Sequence, residues 1–307
     1  MVSAAEEAVL GHRKPADMIF RMIFRRKPLR RKKASRPGAK ALMRVHRAAQ
    51  EMTPERWGKL WVDFAGGEPV GIELPAFPDE RIQRITNSMS GAVTMAAALP
   101  FYRIADHEIS TRFPDSSRIK LLDYGAGWGR ITRLMLRTIE PSNLHAVDVD
   151  HRLVRAGKAL LPGVVFTLIE SGKPLPFEDG WFDVAISNSV FSHLSQAAHL
   201  FYVREIARIL RPGGLFLCTT LGPHHFESWI ANDESTAWIT DVLGSADTVR
   251  AQLSAGQFVF GRTRPHWADY GIAVVPPGWI AENWKPKFDL VETRTDYSQD
   301  VQVALRR

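Results

Sequence analysis

The sequence has one cysteine in 307 residues, so it can form no internal disulfide. Cys218 lies in the apolar run Leu215-Phe-Leu-Cys218, which predicts a buried, unreactive thiol. A reducing compartment fits a chain without a disulfide framework. No apolar run approaches the roughly 18 residues that cross a bilayer; the longest, from Gly91 to Tyr102, is short and broken by Pro100. A secretory pattern is also missing, because Glu6 and Glu7 precede any apolar stretch. These absences predict a cytoplasmic protein whose contact with a membrane, if any, is peripheral.

Acidic residues are scarce between Arg13 and Arg47, where 14 Lys and Arg face Asp17 alone. The chain's net charge of +7 is therefore +13 in that stretch and −6 over all other residues. The basicity belongs to a tail, read here as residues 1–50, and says nothing about what the body binds. Within it, Met18-Ile-Phe-Arg is repeated at once as Met22-Ile-Phe-Arg25. As a helix this repeat stacks like on like four residues apart and suits an anionic lipid surface or a lipid-linked substrate. As a run of like charges it suits a solvated, disordered tail. No aromatic-interleaved platform for RNA accompanies it, so nucleic acid is the least favoured partner.

What is present is globular in composition, 45% hydrophobic and 24% charged. Residues 51–117 read as a helical N-terminal region. Thr53-Pro-Glu-Arg-Trp57 combines a capping Thr with Pro at the first helical position. Further helices are expected around 79–86 and 89–98, with Pro75, Pro78 and Pro100 dividing the region. From Arg118 the pattern changes. Short apolar runs at 119–122, 144–149, 164–169, 182–186 and 215–220 alternate with helix-like segments at 130–139, 151–160 and 196–210. Continuously apolar strands between amphipathic helices indicate a parallel sheet covered on both faces, in a doubly wound α/β arrangement.

The segment Lys120-Leu-Leu-Asp-Tyr-Gly-Ala-Gly-Trp-Gly-Arg130 runs from a buried strand into three alternating glycines. Such a turn lets a ligand approach main-chain N–H groups. A nicotinamide or flavin fingerprint would place its third glycine at position 130, where Arg130 stands, and the Gly-Lys-Ser/Thr of a P-loop is absent. Asp148 closes the next strand, 19 residues after Gly129, where an acid can accept bonds from ribose hydroxyls. A nucleoside-bearing ligand at the carboxyl ends of the first two strands is the physical inference. The competing reading is a structural turn beside a surface Asp.

Asp123-x-Gly-x-Gly-x-Gly129 resembles motif I of the class I S-adenosylmethionine-dependent methyltransferases, and Asp148 resembles their ribose-binding acid. Leu175-Pro-Phe-Glu-Asp-Gly-Trp-Phe-Asp183, Phe182-Asp-Val-Ala-Ile-Ser-Asn188 and Leu210-Arg-Pro-Gly-Gly-Leu215 resemble the family's approach to strand four, that strand, and the turn before strand five. The likeness covers 118–220 well and 278–307 loosely. It implies a Rossmann-like, mostly parallel seven-stranded sheet with an antiparallel last strand, 288–293 and 301–305 being the closing strands. It also implies a methyltransferase core at 118–221 and 277–307, with 222–276 an inserted cap. S-adenosylmethionine is the implied cofactor, contacted by Asp123, Gly125, Ala126, Gly127, Gly129, Asp148, Val149 and Asn188. Where many members carry an adenine-binding Asp after strand three, this chain offers Glu170 or Ser171. Arg130 could meet the cofactor's carboxylate or lie exposed on a helix.

His193, in Ser189-Val-Phe-Ser-His-Leu194, follows strand four, and an imidazole suits a general base. It equally suits a packing role at a helix start. The cap holds His224, His225, Phe226, Trp229, Trp238, Phe258, His266, Trp267 and Tyr270. These could wall an acceptor pocket or form the cap's own core. No Asp, Glu or His partner sits at a ligand-like spacing from His224 and His225, so no metal is expected. The leading expectation is O-methylation of a saccharide or small molecule. The alternatives are an RNA or protein methyltransferase and a non-catalytic S-adenosylmethionine-binding regulator.

Overall fold

The computed structural model describes residues 38–264, 268–295 and 297–307. The repeat at Met18–Arg25 and the cap residues His266 and Trp267 lie outside the described residues. The folded body begins with helix α1, Ala39–Gln50, which the sequence reading assigned to the basic tail. Leu42, Val45 and Ala49 of α1 are buried, and the His46 ring donates from Nδ1 to the Leu136 carbonyl at 2.7 Å. Four apolar or packing positions one turn apart thus outweigh the charge pattern that surrounds them.

Helix α2, Pro54–Gly66, begins at the expected Thr53 cap and ends on Gly67 in the left-handed conformation. Helices α3 (Glu80–Asn87) and α4 (Gly91–Ala96) follow, and α5 (Leu99–Arg112) carries Pro100 in its first turn. Pro100 therefore starts a helix and does not merely interrupt one, as its missing N–H permits.

The main sheet has seven strands: β1 (Leu121–Tyr124), β2 (Leu144–Asp148), β3 (Val165–Leu168), β4 (Phe182–Ser187), β5 (Leu210–Thr220), β8 (Phe288–Arg294) and β9 (Asp300–Arg306). Their spatial order is β3-β2-β1-β4-β5-β9-β8. Every pair among the first five is parallel, while β9 runs antiparallel between β5 and β8. This is the doubly wound, Rossmann-like arrangement with an antiparallel last strand. Its strand order reverses between β1 and β4, the place where open α/β sheets bind ligands. Helix α6 (His151–Leu160) crosses from β2 to β3, and α7 (Gln196–Ile209) from β4 to β5. Between β5 and β8 come α8 (Pro223–Ile230), α9 (Asp233–Leu243), α10 (Ala246–Ser254), the hairpin β6 (Val259–Arg262) and β7 (Gly271–Val274), and α11 (Pro277–Trp284).

Three apolar clusters follow from this layout. One face of the sheet packs on the N-terminal helices through Trp57, Trp61, Phe101 and Trp128. The other packs on α7 and α11 through Phe191, Tyr202, Phe216 and Trp284. The segment after β5 holds a separate cluster around Phe226, Ile239 and Val249. No described helix is long and apolar enough to cross a membrane.

The helix expected at 130–139 is absent as a regular element. Residues 126–138 form successive turns with one 3-10 stretch, Met135–Arg137. Side-chain donors take two carbonyls that a helical ladder would use, Trp57 Nε1 donating to Leu134 O at 2.8 Å and His46 to Leu136 O, while Gly129 O accepts both the Arg133 N–H at 3.2 Å and Arg133 Nε at 3.0 Å. The Thr138 N–H, which would serve Leu134 in an α-helix, donates to Met135 O instead. Because residues 126–136 are buried on every side, no solvent-facing stripe favours a regular helix.

Helix α6 lies flush on β3 because Gly157 has no side chain; a Cβ there would fall 2.2 Å from Phe166 Cε1. Gly157→Ala should overpack this contact and cost about 1–3 kcal/mol, outweighing the gain in helix propensity. The measurement is the urea midpoint, expected to fall; an unchanged or higher midpoint would show that Phe166 yields freely.

Candidate active site

The turn after β1 is tied to β2 before any ligand is considered. The N–H groups of Gly125 and Ala126 both donate to Val147 O, at 2.9 and 3.0 Å. Gly127 then donates to Asp148 Oδ2 at 2.8 Å, and Asp150 N–H donates to Oδ1 at 2.8 Å. Asp148 thus holds one backbone bond on each carboxylate oxygen and keeps lone pairs for further donors. Burial raises its pKa, with the backbone bonds opposing. Gly125 and Gly127 are left-handed, at φ +75° and +59°, and a Cβ at either would meet Val190 Cγ2 at 2.2 Å or Thr86 Cγ2 at 2.6 Å. Thr86 of α3 and Val190 of the loop after β4 are therefore the side chains that border the turn.

Around Asp148 the polar and apolar groups fit a nucleoside. Val149 and Leu168, at the ends of β2 and β3, are 57% and 50% exposed, apolar surfaces beside an acid. Glu170 and Ser171 are exposed in the turn after β3, whose Ile169 N–H bonds Asp148 O at 3.1 Å. Asn188, at the end of β4, is buried, and its Nδ2 has no hydrogen-bond partner among the described residues. An orphaned donor at the end of β4, and an acid with spare lone pairs and an exposed apolar edge at the ends of β2 and β3, thus flank the β1/β4 switch point.

Beneath the turn, Asp123 is buried and accepts from Thr132 Oγ1 at 2.6 Å. Burial pushes its pKa from 3.8 up to about 7, against the Thr132 bond and nearby Arg130. Arg130 is buried rather than exposed on a helix; Nη1 donates to Thr94 O at 3.3 Å, and burial lowers its pKa. Gly129 donates to Ala126 O at 3.0 Å and closes the turn.

His193 sits in the loop after β4 and is pinned by reciprocal bonds to β7. Its Nδ1 donates to Gly271 O at 2.7 Å, and Gly271 N–H donates to His193 O at 2.7 Å. That tautomer leaves Nε2 with a lone pair, 3.5 Å from Ser189 Oγ. Ser189 is left-handed at φ +60° and is held by its N–H to Thr219 Oγ1 at 2.7 Å and by Gln299 Nε2 donating to its Oγ at 3.0 Å. Backbone strain at a non-glycine residue persists only where the surroundings impose it. Tyr270 stacks on the His193 ring at 5.1 Å, and burial together with the nearby Asp148 carboxylate raises its phenol to about 12. Tyr270 therefore stays a donor between the histidine and the acid.

The structure redistributes the aromatic residues of the segment after β5. Phe226, Trp229 and Trp238 belong to that segment's own cluster, and Phe258 packs on Trp279 and His199. Tyr270, from the same segment, stacks on His193, whereas His224 and His225 meet Asp300, each at 3.2 Å. Sequence reasoning named Tyr270 among the residues of a possible acceptor pocket but missed Thr86 and Asp300. Each is brought in by a connection of long range, and no local pattern signals it.

Residues 122–218 match the family model described as "Methyltransferase domain". Among curated proteins, the chain is 30% identical over 199 residues to phthiotriol/phenolphthiotriol dimycocerosates methyltransferase 1 of Mycobacterium ulcerans, covering 62% of this chain and 64% of that protein. It is 32% identical over 108 residues to a fatty-acid O-methyltransferase of Mycolicibacterium smegmatis, covering 34% and 38%. The chain thus spans less than two thirds of the length of these relatives. Among solved structures, an S-adenosylmethionine-dependent methyltransferase from Mesorhizobium loti aligns with a TM-score of 0.47 at 15% identity, over 69% of this chain and 98% of that one.

The raised pKa of Asp123 gives a pH signature in the protein without added ligand. Folding takes up a proton between the ordinary carboxylate range and about pH 7, so wild type loses stability as pH rises through that window. Asp123→Asn carries no such charge. Its melting temperature relative to wild type should climb from pH 4 to 7 and level off above; a flat difference would show that Asp123 ionises normally.

Proposed function

We propose that this chain, whose residues 122–218 match a methyltransferase domain on a Rossmann-like sheet, is a class I S-adenosylmethionine-dependent methyltransferase that methylates the hydroxyl of a small-molecule, saccharide or lipid acceptor. The observation that carries the cofactor half is the Asp148 carboxylate fixed by Gly127 and Asp150 at the end of β2. There it would accept from the ribose hydroxyls, with Val149 against the adenine and Glu170 or Ser171 at its amino group. Gly125, Ala126, Gly127 and Gly129 would line the methionyl portion, and Asn188 Nδ2 supplies an unused donor beside it. Asp123 supports the turn from below. S-adenosylmethionine supplies an electrophilic methyl on a sulfonium that leaves as a neutral thioether, so alignment accounts for most of the rate.

An oxygen acceptor also needs its proton removed, which points to His193. Its Nδ1 is committed to Gly271, and Nε2 presents the lone pair that would take the proton. The relatives named for dimycocerosates and fatty acids support an acceptor of low polarity. The basic stretch at 13–47 would then hold the protein near an anionic surface or lipid-linked substrate. Any truncation that tests this must stop short of α1, since Ala39–Gln50 packs into the body.

Calorimetry should find wild type binding S-adenosylmethionine and S-adenosylhomocysteine but not NAD. Asp148→Ala should weaken both by about 10–100-fold, the worth of a lost charged hydrogen bond. Wild-type protein with no affinity for either ligand would end the enzymatic reading. His193→Ala should keep cofactor affinity within a few-fold while turnover drops roughly 10²–10⁴-fold. Near-normal turnover in that variant would reduce His193 to a packing role.

A further inference from the structure

His224 and His225 open α8, and Asp300 opens β9, 75 residues later than His225. The fold brings them together because Asp300 is the antiparallel partner of Thr220, the last residue of β5, from which the chain turns directly into α8. Both histidines aim Nε2 at the same atom, Asp300 Oδ1, each at 3.2 Å, and the three ligand-type atoms lie within 4.8 Å of one another. Asp300 is 2% exposed, His225 is mostly buried and His224 is open to solvent. Gly222 makes the space: a Cβ there would fall 2.4 Å from Asp300 Oδ2 and 3.2 Å from His224 Nδ1.

Neighbouring residues on a helix normally diverge by about 100°, yet these two converge on one carboxylate oxygen. Without an ion, both rings would have to present an Nε2–H donor to one shared carboxylate oxygen. Around a tetrahedral ion with bonds of roughly 2.0–2.1 Å, ligand atoms stand about 3.3 Å apart, close to the 3.2 Å that separates each Nε2 from Asp300 Oδ1. Two imidazoles and one carboxylate are the donor set of borderline transition ions, not of magnesium or calcium. Three protein ligands with one open side leave a coordination position free.

We propose that His224, His225 and Asp300 bind one divalent first-row transition ion, of the zinc class, at the carboxyl end of β5. The absence of a metal expected from sequence rested on the lack of a third ligand at a suitable spacing, and the antiparallel β9 supplies one from far along the chain. A short relay of hydrogen bonds links this end of β9 to the candidate catalytic histidine. Gln299, the residue before Asp300, donates to Ser189 Oγ, which faces His193 Nε2. Resting on the methyltransferase reading, the ion's open position would take the acceptor oxygen and ease its deprotonation by His193.

The test is titration of the tag-free, full-length protein with Zn²⁺, and separately with Co²⁺ followed by its visible absorption, without S-adenosylmethionine or acceptor. One equivalent should bind, with a cobalt spectrum of low coordination number. His224→Ala, at an exposed position, should fold normally and weaken binding at least about 100-fold, beyond the roughly 10–100-fold typical of outer-shell partners. His225→Ala should do the same, and His107→Ala, an exposed histidine on α5, should not. Absence of wild-type binding, or binding insensitive to both His224→Ala and His225→Ala, overturns the site. Because these measurements use no cofactor, their failure is distinguishable from failure of the Asp148 result. If turnover is equal in chelator-stripped and zinc-reloaded protein, the acceptor role falls while the site stands.

Discussion

The hydrogen bond from Gly127 N–H to Asp148 Oδ2 joins the two strand ends on which the candidate site is built. Without it the turn after β1 and the acid after β2 would be separate surface features. With it, the acid is aimed by the same turn that carries the three left-handed glycines. The bond requires Gly127 in the left-handed region, a conformation that favours glycine. It also requires parallel pairing of β1 and β2 in the register Asp123 opposite Ala146. The buried strands are thus what fix the geometry of the turn.

Three charged side chains sit beneath or beside that turn, and each is kept in place by a different means. Asp123 is held by Thr132 and the proximity of Arg130. Arg130 reaches the Thr94 carbonyl in α4. Arg133 lies within an aromatic enclosure, 4.6 Å from the Trp128 and Phe77 rings and 5.1 Å from Trp61, and burial lowers its pKa to about 9. Buried charges of this kind persist only where dipoles or π faces replace water. Here the replacement comes largely from the N-terminal helices, which therefore form one wall of the site's foundation.

The sheet was legible in the sequence because its signal is local: apolar runs separated by amphipathic segments, and a glycine turn ending a strand. The acid at 148 was legible for the same reason, by its distance from Gly129. The segment 130–139 was misread as a helix because its carbonyls are claimed by Trp57 and His46, donors more than 75 residues away in the chain. Helix α1 was hidden inside a charge pattern whose average masks four buried positions. The aromatic residues after β5 gave the right composition for a pocket wall, but composition does not distinguish a wall from an interior. Asp300 carried no local sign of its histidine partners, since only the antiparallel pairing of β9 with β5 places it there.

The cluster around Phe226, Ile239 and Val249 is separate from those on the two sheet faces. Substitutions within it share few partners with the residues beneath the glycine turn, so their energetic effects should largely add. An interior that can be rebuilt without disturbing the turn is free to drift. A lineage built on this scaffold can therefore vary the segment after β5 while the glycine turn stays fixed, each evolving at its own pace.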